Sequence, residues 1–196
     1  MVEIRIHGRG GQGVVTAADM FATAAFSEGH YAQAFPSFGS ERTGAPVVSY
    51  CRISDQPIRT REPVLEPDIL IVQDPTLLAV VDVFAGLKPG GFAIVNTTKS
   101  VAELHLPDLP PDRTLVTIPA SDLAKRHVGK PLPNAALMGA VAAATGVVKL
   151  SSVEEAIRHR FRGHIANANV AAAQDAYEYL RAAGSGVKEE AHASAN

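Results

Sequence analysis

Val2-Glu3-Ile4-Arg5-Ile6-His7 followed by Gly8-Arg9-Gly10-Gly11-Gln12-Gly13 is the stretch on which the fold turns. Val2, Ile4 and Ile6 alternate with Glu3, Arg5 and His7, the period of two that marks a strand. Beyond the glycines, Val14, Ala18, Phe21, Ala22 and Ala25 recur at helical spacing. The order is therefore strand, glycine turn, helix, which is how a parallel α/β sheet begins.

Working outward, Gly29 stops the first helix, and Tyr31 to Phe35 reads as a second strand. Val47 to Ile53 reads as a third. Ile69-Leu70-Ile71-Val72 is a continuous apolar run, as expected of a central strand buried on both faces. Asp74 is placed to cap a helix with Pro75 at its first position, running to Gly86. Phe92 to Val95 and Thr114 to Ile118 supply two more strands, and Ser121 is placed to cap a short helix through Lys125. Helices are expected over Asn134 to Ala144, Ser152 to Phe161 and Ile165 to Leu180. The fold class read from this order is α/β, a mainly parallel Rossmann-like sheet with helices on both faces. Residues 1–183 are read as one domain, and residues 184–196, poor in large apolar side chains, as a disordered tail.

Composition bounds what the chain does. Its 196 residues suit one domain. Eighteen Lys and Arg against twenty Asp and Glu leave a net charge of -2, without the basic surplus of a nucleic-acid binder. Charged residues reach only 19%, below the roughly 25% of an average soluble protein, which suggests that partner chains cover part of the surface. The single cysteine, Cys51, cannot build a disulfide framework or a multi-cysteine cluster. It lies in an apolar strand and reads as a small core residue. His7 and His30 read as a strand-face and a loop histidine. His159 and His164 are five apart and do not share a helix face, so no metal site is expected. Neither a targeting segment nor a membrane span is read, and the expected location is the cytoplasm.

Two loops carry the candidate chemistry. Gly8-Arg9-Gly10-Gly11-Gln12-Gly13 satisfies G-x-G-x-x-G after a strand and before a helix, where free amides and the helix dipole attract an anion. A nicotinamide site also wants a carboxylate at the end of the second strand. Gln33, Ala34, Phe35 and Pro36 stand there, with no acid before Glu41. The readings open on residues alone are an anion site, a contact for a partner loop, and a tight turn that binds nothing. The second loop, Pro36-Ser37-Phe38-Gly39-Ser40-Glu41-Arg42-Thr43-Gly44-Ala45-Pro46, combines glycines with Glu41 and Arg42, a pair suited to clamping a charged group or a partner surface, or else a solvated surface loop.

Taken together, GRGGQGVVTAADMFATAAFSEGHYAQAFPSFGSERTGAPV, the later DPTLL, and PLPNAALMGAVAAATG resemble the gamma subunit or domain of the 2-oxoacid:ferredoxin oxidoreductases, the pyruvate type above all. The resemblance covers the chain to about Leu180. It implies a subunit, not active alone, of a multi-subunit enzyme that decarboxylates a 2-oxoacid oxidatively and passes electrons to ferredoxin or a related acceptor. By the same resemblance, thiamine diphosphate, magnesium and 4Fe-4S clusters reside on alpha, beta and delta-type partners. The gamma part stands on the coenzyme A side and covers the active centre. Carried onto this chain, Gly8, Arg9, Gly10, Gly11, Gln12 and Gly13 would lie near the diphosphate portion of coenzyme A. Ser37, Phe38, Gly39, Glu41, Arg42 and Gly44 would face the catalytic interface. Asn134 is a further polar contact or a plain helix cap. No general acid or base is assigned. The loop leans towards pyruvate; an aromatic 2-oxoacid enzyme for phenylglyoxylate or indolepyruvate, and a stand-alone nucleotide-binding module, are the alternatives.

Overall fold

A computed structural model describes residues 1–37, 43–106 and 110–193, with side chains as far as residue 183. Six strands form one sheet in the order β2-β3-β1-β4-β5-β6. They are β1 (Val2–Arg9), β2 (Tyr31–Pro36), β3 (Pro46–Ser54), β4 (Ile69–Val72), β5 (Phe92–Asn96) and β6 (Thr114–Ile118). The four strands β1, β4, β5 and β6 run parallel, with Ile4 opposite Ile69, Ile69 opposite Phe92, and Phe92 opposite Thr114. Strand β3 is antiparallel to both β1 and β2. The expected α/β class with a mainly parallel sheet is thus what forms.

The α-helices are α1 (Val14–Ser27), α2 (Ala120–Val128), α3 (Asn134–Thr145), α4 (Leu150–Arg160) and α5 (Gly163–Ala193). They build one large core with Ile4, Ile6, Cys51, Ile71 and Ile94. The opposite face is thinner. There Leu70, Val72, Ala93 and Val95 are covered by Leu77, Val83 and Leu87 from the chain between β4 and β5. The helix expected from Pro75 to Gly86 is only a 3-10 turn, Pro75–Ala79. Its cap is as read: Asp74 accepts from the Thr76 amide at 3.0 Å. Beyond Ala79 the chain continues in short turns, with the Val80 and Val81 amides both on the Leu77 carbonyl, and the buried Arg5 guanidinium takes the carbonyls of Val83 and Ala85, as well as those of Val64 and Leu65. Carbonyls held by a cation are lost to an i→i−4 ladder. The helices on the two faces are accordingly unequal.

Two further differences concern helix ends. Ser121 does not cap α2, which begins at Ala120 behind Pro119; its hydroxyl instead accepts from Asn96 Nδ2 at 2.8 Å. Where a tail from Gly184 was expected, α5 runs on to Ala193. Extending an anchored helix needs no new nucleus, and Lys188, Glu189, Glu190 and Ala191 are good helix formers.

His7 is buried beside Arg5 on the thinner face, 5% exposed. Burial, and then the Arg5 charge, lower its pKa to about 4. The unfolded chain, with histidine near 6.5, therefore binds the extra proton first. Stability from this residue is complete above pH 6.5, falls as the pH drops, and levels off below pH 4. The loss is about 3 kcal/mol. Denaturant titrations at pH 7 and pH 4 should show a smaller drop for His7→Gln by that amount; equal drops would rule out His7 as the titrating group.

Candidate functional site

The reversal of β3 brings the two loops together. The carboxyl ends of β1 and β2 and the amino end of β3 lie at one edge, where Arg9 is opposite Pro46 and Pro36 opposite Ser49. The loop after β1 and the loop after β2 therefore open side by side. They are also joined. Gly10 N–H donates to the Ala45 carbonyl at 2.9 Å, and Gly44 N–H donates to the Gly10 carbonyl at 3.1 Å. Ser37 leaves the sheet through a bond from its amide to the Val48 carbonyl at 2.8 Å. Phe38, Gly39, Glu41 and Arg42 lie outside the described residues.

This edge is also a topological switch point. From β1 the chain crosses towards β2, whereas from β4 it moves the other way, to β5. Ligands of open α/β sheets bind in the crevice outside carboxyl ends at such a point.

The glycines have distinct reasons. A Cβ on Gly8 would lie 2.5 Å from Val14 Cγ2 and 3.0 Å from Gln73 Oε1, so this glycine admits close packing under the loop. Gly13 has φ +74° and would bring a Cβ to 2.5 Å from Asn134 Nδ2. Gly11, at φ +90°, faces open space. No side chain caps the N-terminus of α1, so its first-turn amides are available to an anion.

Asn134 joins this loop, but not as a cap. Pro133 holds the cap position of α3. Asn134 Nδ2 donates to the Gly13 carbonyl at 3.1 Å, and its Oδ1 accepts from Gln73 Nε2 at 2.7 Å. Gln73 is 2% exposed, and its Oε1 has no protein partner. Next along the edge, Asn96 Nδ2 donates to the Gln73 carbonyl at 2.8 Å, and Asn96 Oδ1 accepts from the Ser121 amide at 3.0 Å.

Arg9 is engaged by protein groups. Its Nη1 donates to the Gly44 carbonyl at 3.0 Å and its Nη2 to Thr76 Oγ1 at 2.7 Å, while Nε stands 3.3 Å from Asp74 Oδ2. Gln12 Nε2 donates to Asp74 Oδ2 at 2.7 Å, and Gln12 Oε1 accepts from the Arg9 amide at 2.8 Å. Burial pushes the Asp74 carboxyl up, but hydrogen bonds from Thr76 and Gln12 and the Arg9 charge outweigh it and hold the pKa below the usual range. Gln73, Thr76 and Asn96 were not singled out from sequence. The one available signal was the position of Gln73 and Asn96 at the carboxyl ends of apolar strands, where parallel sheets present polar groups.

A cleft of about 840 Å³ lies elsewhere. Val2, Ile69, Phe92, Thr114 and Leu180 line it, at the amino ends of the parallel strands. Asp68, Thr117, Thr145 and Arg181 line it as well, but ligands of open α/β sheets bind outside the carboxyl ends of the strands, which is why the glycine edge is taken as the candidate site.

The family model for pyruvate ferredoxin/flavodoxin oxidoreductase matches residues 3–179. The chain belongs to that family. It is 52% identical over 177 residues to the pyruvate/ketoisovalerate oxidoreductases common subunit gamma of Thermococcus kodakarensis, covering 90% of this chain and 96% of the relative. It is 45% identical over 188 residues to the pyruvate synthase subunit PorC of Methanothermobacter marburgensis, covering 94% and 100%. The crystal structure of the pyruvate oxidoreductase subunit PORC from Thermotoga maritima superposes with a TM-score of 0.77 at 36% identity, covering 90% of this chain and 95% of the other. The family therefore accounts for nearly the whole chain and not only for the glycine loop.

Proposed function

We propose that this chain, as one domain over residues 1–183, is the gamma subunit of a cytoplasmic, multi-subunit 2-oxoacid oxidoreductase, and that its glycine edge receives the diphosphate end of coenzyme A. The reaction assigned to the complex is oxidative decarboxylation of a 2-oxoacid to an acyl-coenzyme A and carbon dioxide, with electrons leaving to ferredoxin or a related acceptor. The observation that carries the reading is the joining of the Gly8–Gly13 loop to Gly44 and Ala45 at the carboxyl edge of the sheet. The relatives named for pyruvate and ketoisovalerate favour a small aliphatic 2-oxoacid over an aromatic one.

The residues fit an anionic diphosphate. Gly11 leaves open space, and the uncapped amides of α1 offer donors. Coenzyme A, when bound, supplies the thiol that accepts the acyl group. This chain's part is to hold and orient the carrier and, with Ser37, Phe38, Gly39, Glu41, Arg42 and Gly44 towards the catalytic interface, to keep water from a reactive acyl centre. In this reading thiamine diphosphate, magnesium and the 4Fe-4S clusters belong to alpha, beta and delta-type partners. Cys51 is fully buried, and burial pushes its thiol up to about 12, as suits a core residue.

Gly11→Val should raise the Michaelis constant for coenzyme A at least fivefold in the purified complex, since its side chain meets only what occupies the open space. The complex should remain assembled, with a loss of about 1–3 kcal/mol from a branched residue at positive φ. An unchanged constant would remove coenzyme A from this loop. Purification of the chain from its native source without any thiamine- or cluster-bearing partner would overturn the subunit assignment itself.

A further inference from the structure

We infer that Asp74 is a positioning residue for the glycine loop, acting through the side-chain amide of Gln12; this rests on the reading that the loop receives coenzyme A. Asp74 stands outside both loop motifs, at the start of the segment after β4. Its two oxygens divide the work. Oδ1 accepts from the Thr76 amide at 3.0 Å and from Thr76 Oγ1 at 2.6 Å, which fixes the carboxylate on its own turn. Oδ2 faces the glycine loop, accepting from Gln12 Nε2 at 2.7 Å and standing 3.3 Å from Arg9 Nε.

The choice of acceptor decides how the Gln12 amide is turned. A carboxylate has no proton to donate, so only Nε2 of Gln12 can face it. The other end of the same amide, Oε1, is thereby aimed at the Arg9 amide, which it meets at 2.8 Å. Reversing Gln12 would set two donors against each other at Arg9 and two acceptors against each other at Asp74. Asp74 thus closes a ring, through Gln12 and the backbone of Arg9, around the tight part of the loop. Arg9 extends this ring to Thr76 and, through the Gly44 carbonyl, to the second loop. A loop fixed in this way meets a diphosphate without first losing conformational freedom, which favours binding.

The test is a double-mutant cycle in the assembled complex with coenzyme A as the varied substrate. Asp74→Asn keeps an oxygen for Thr76 but turns an amide donor towards Gln12 or removes the charge beside Arg9. It should raise the Michaelis constant for coenzyme A about tenfold, with the turnover number and the constant for the 2-oxoacid held within twofold. In a Gln12→Met background, where the link is already cut, the same substitution should change the constant less than twofold, because coupled residues do not act additively. Should Asp74→Asn fail to assemble, Asp74→Glu takes its place in the cycle with the same expectation. No shift in the single variant, or an undiminished shift in the Gln12→Met background, overturns the inference. If Gly11→Val alone raises the constant, the coenzyme A reading survives that failure; if neither variant moves it, both fall.

Discussion

Gly139→Ala is expected to lower the thermal midpoint of the chain by about 10 °C, the result of losing about 3 kcal/mol. Gly139 is an interior residue of α3, where glycine is otherwise costly. Its reason is the neighbouring helix. A Cβ there would lie 2.0 Å from the Ala173 carbonyl oxygen and 2.9 Å from the Ala173 Cα. These are backbone atoms of α5, so no side chain can rotate away, and the two helices must separate. The buried alanines on both sides, Ala136, Ala140, Ala172 and Ala173, would then lose contacts that nothing else replaces. A midpoint within 2 °C of the unsubstituted chain, read by circular dichroism, would mean that the helices have slack.

Arg5→Leu is expected to be at least as damaging, by about 4 kcal/mol, through the opposite face. The carbonyls of Val64, Leu65, Val83 and Ala85 would lose their donor, those of Val64 and Val83 in buried surroundings, and each buried unsatisfied group costs about 1–3 kcal/mol. Arg5→Lys should recover only part of this, because one ammonium group cannot span both segments as the planar guanidinium does. Besides a lower midpoint, Arg5→Leu should open the segment 75–91 to proteolysis while the helical face stays protected. Equal cleavage of both proteins would show that Leu77, Val83 and Leu87 hold that segment unaided.

These two residues also mark where sequence reading stops. Strands were legible because alternation at Val2, Ile4 and Ile6, and the apolar runs at 69–72 and 114–118, depend on near neighbours alone. The same local logic placed Asp74 as a cap and Cys51 in the core. What was not legible depends on contacts between distant segments. The segment after Pro75 has the start of a helix in Asp74 and Pro75, yet its far part is held by Arg5, some eighty residues earlier in the chain, through the Val83 and Ala85 carbonyls. Asn134 has the residue type and place of a helix cap, yet its amide reaches Gly13 and Gln73 instead. At the candidate site, the two loop motifs were readable as strings. Their joining was not, because it follows from the reversal of β3, and a sequence pattern carries strand positions without their directions.

Strand order has one further consequence, for the chain during its synthesis. Strand β1 is made first, yet its two neighbours are β3, beginning at Pro46, and β4, ending at Val72. A nascent chain therefore carries Ile4 and Ile6 on an unpaired strand until β3 is complete at Ser54, and on a strand paired along one edge only until Val72 has followed. Long-range pairing of this kind is slow and leaves an exposed edge. The first eight-residue strand is thus the part of the nascent chain most in need of a chaperone's cover.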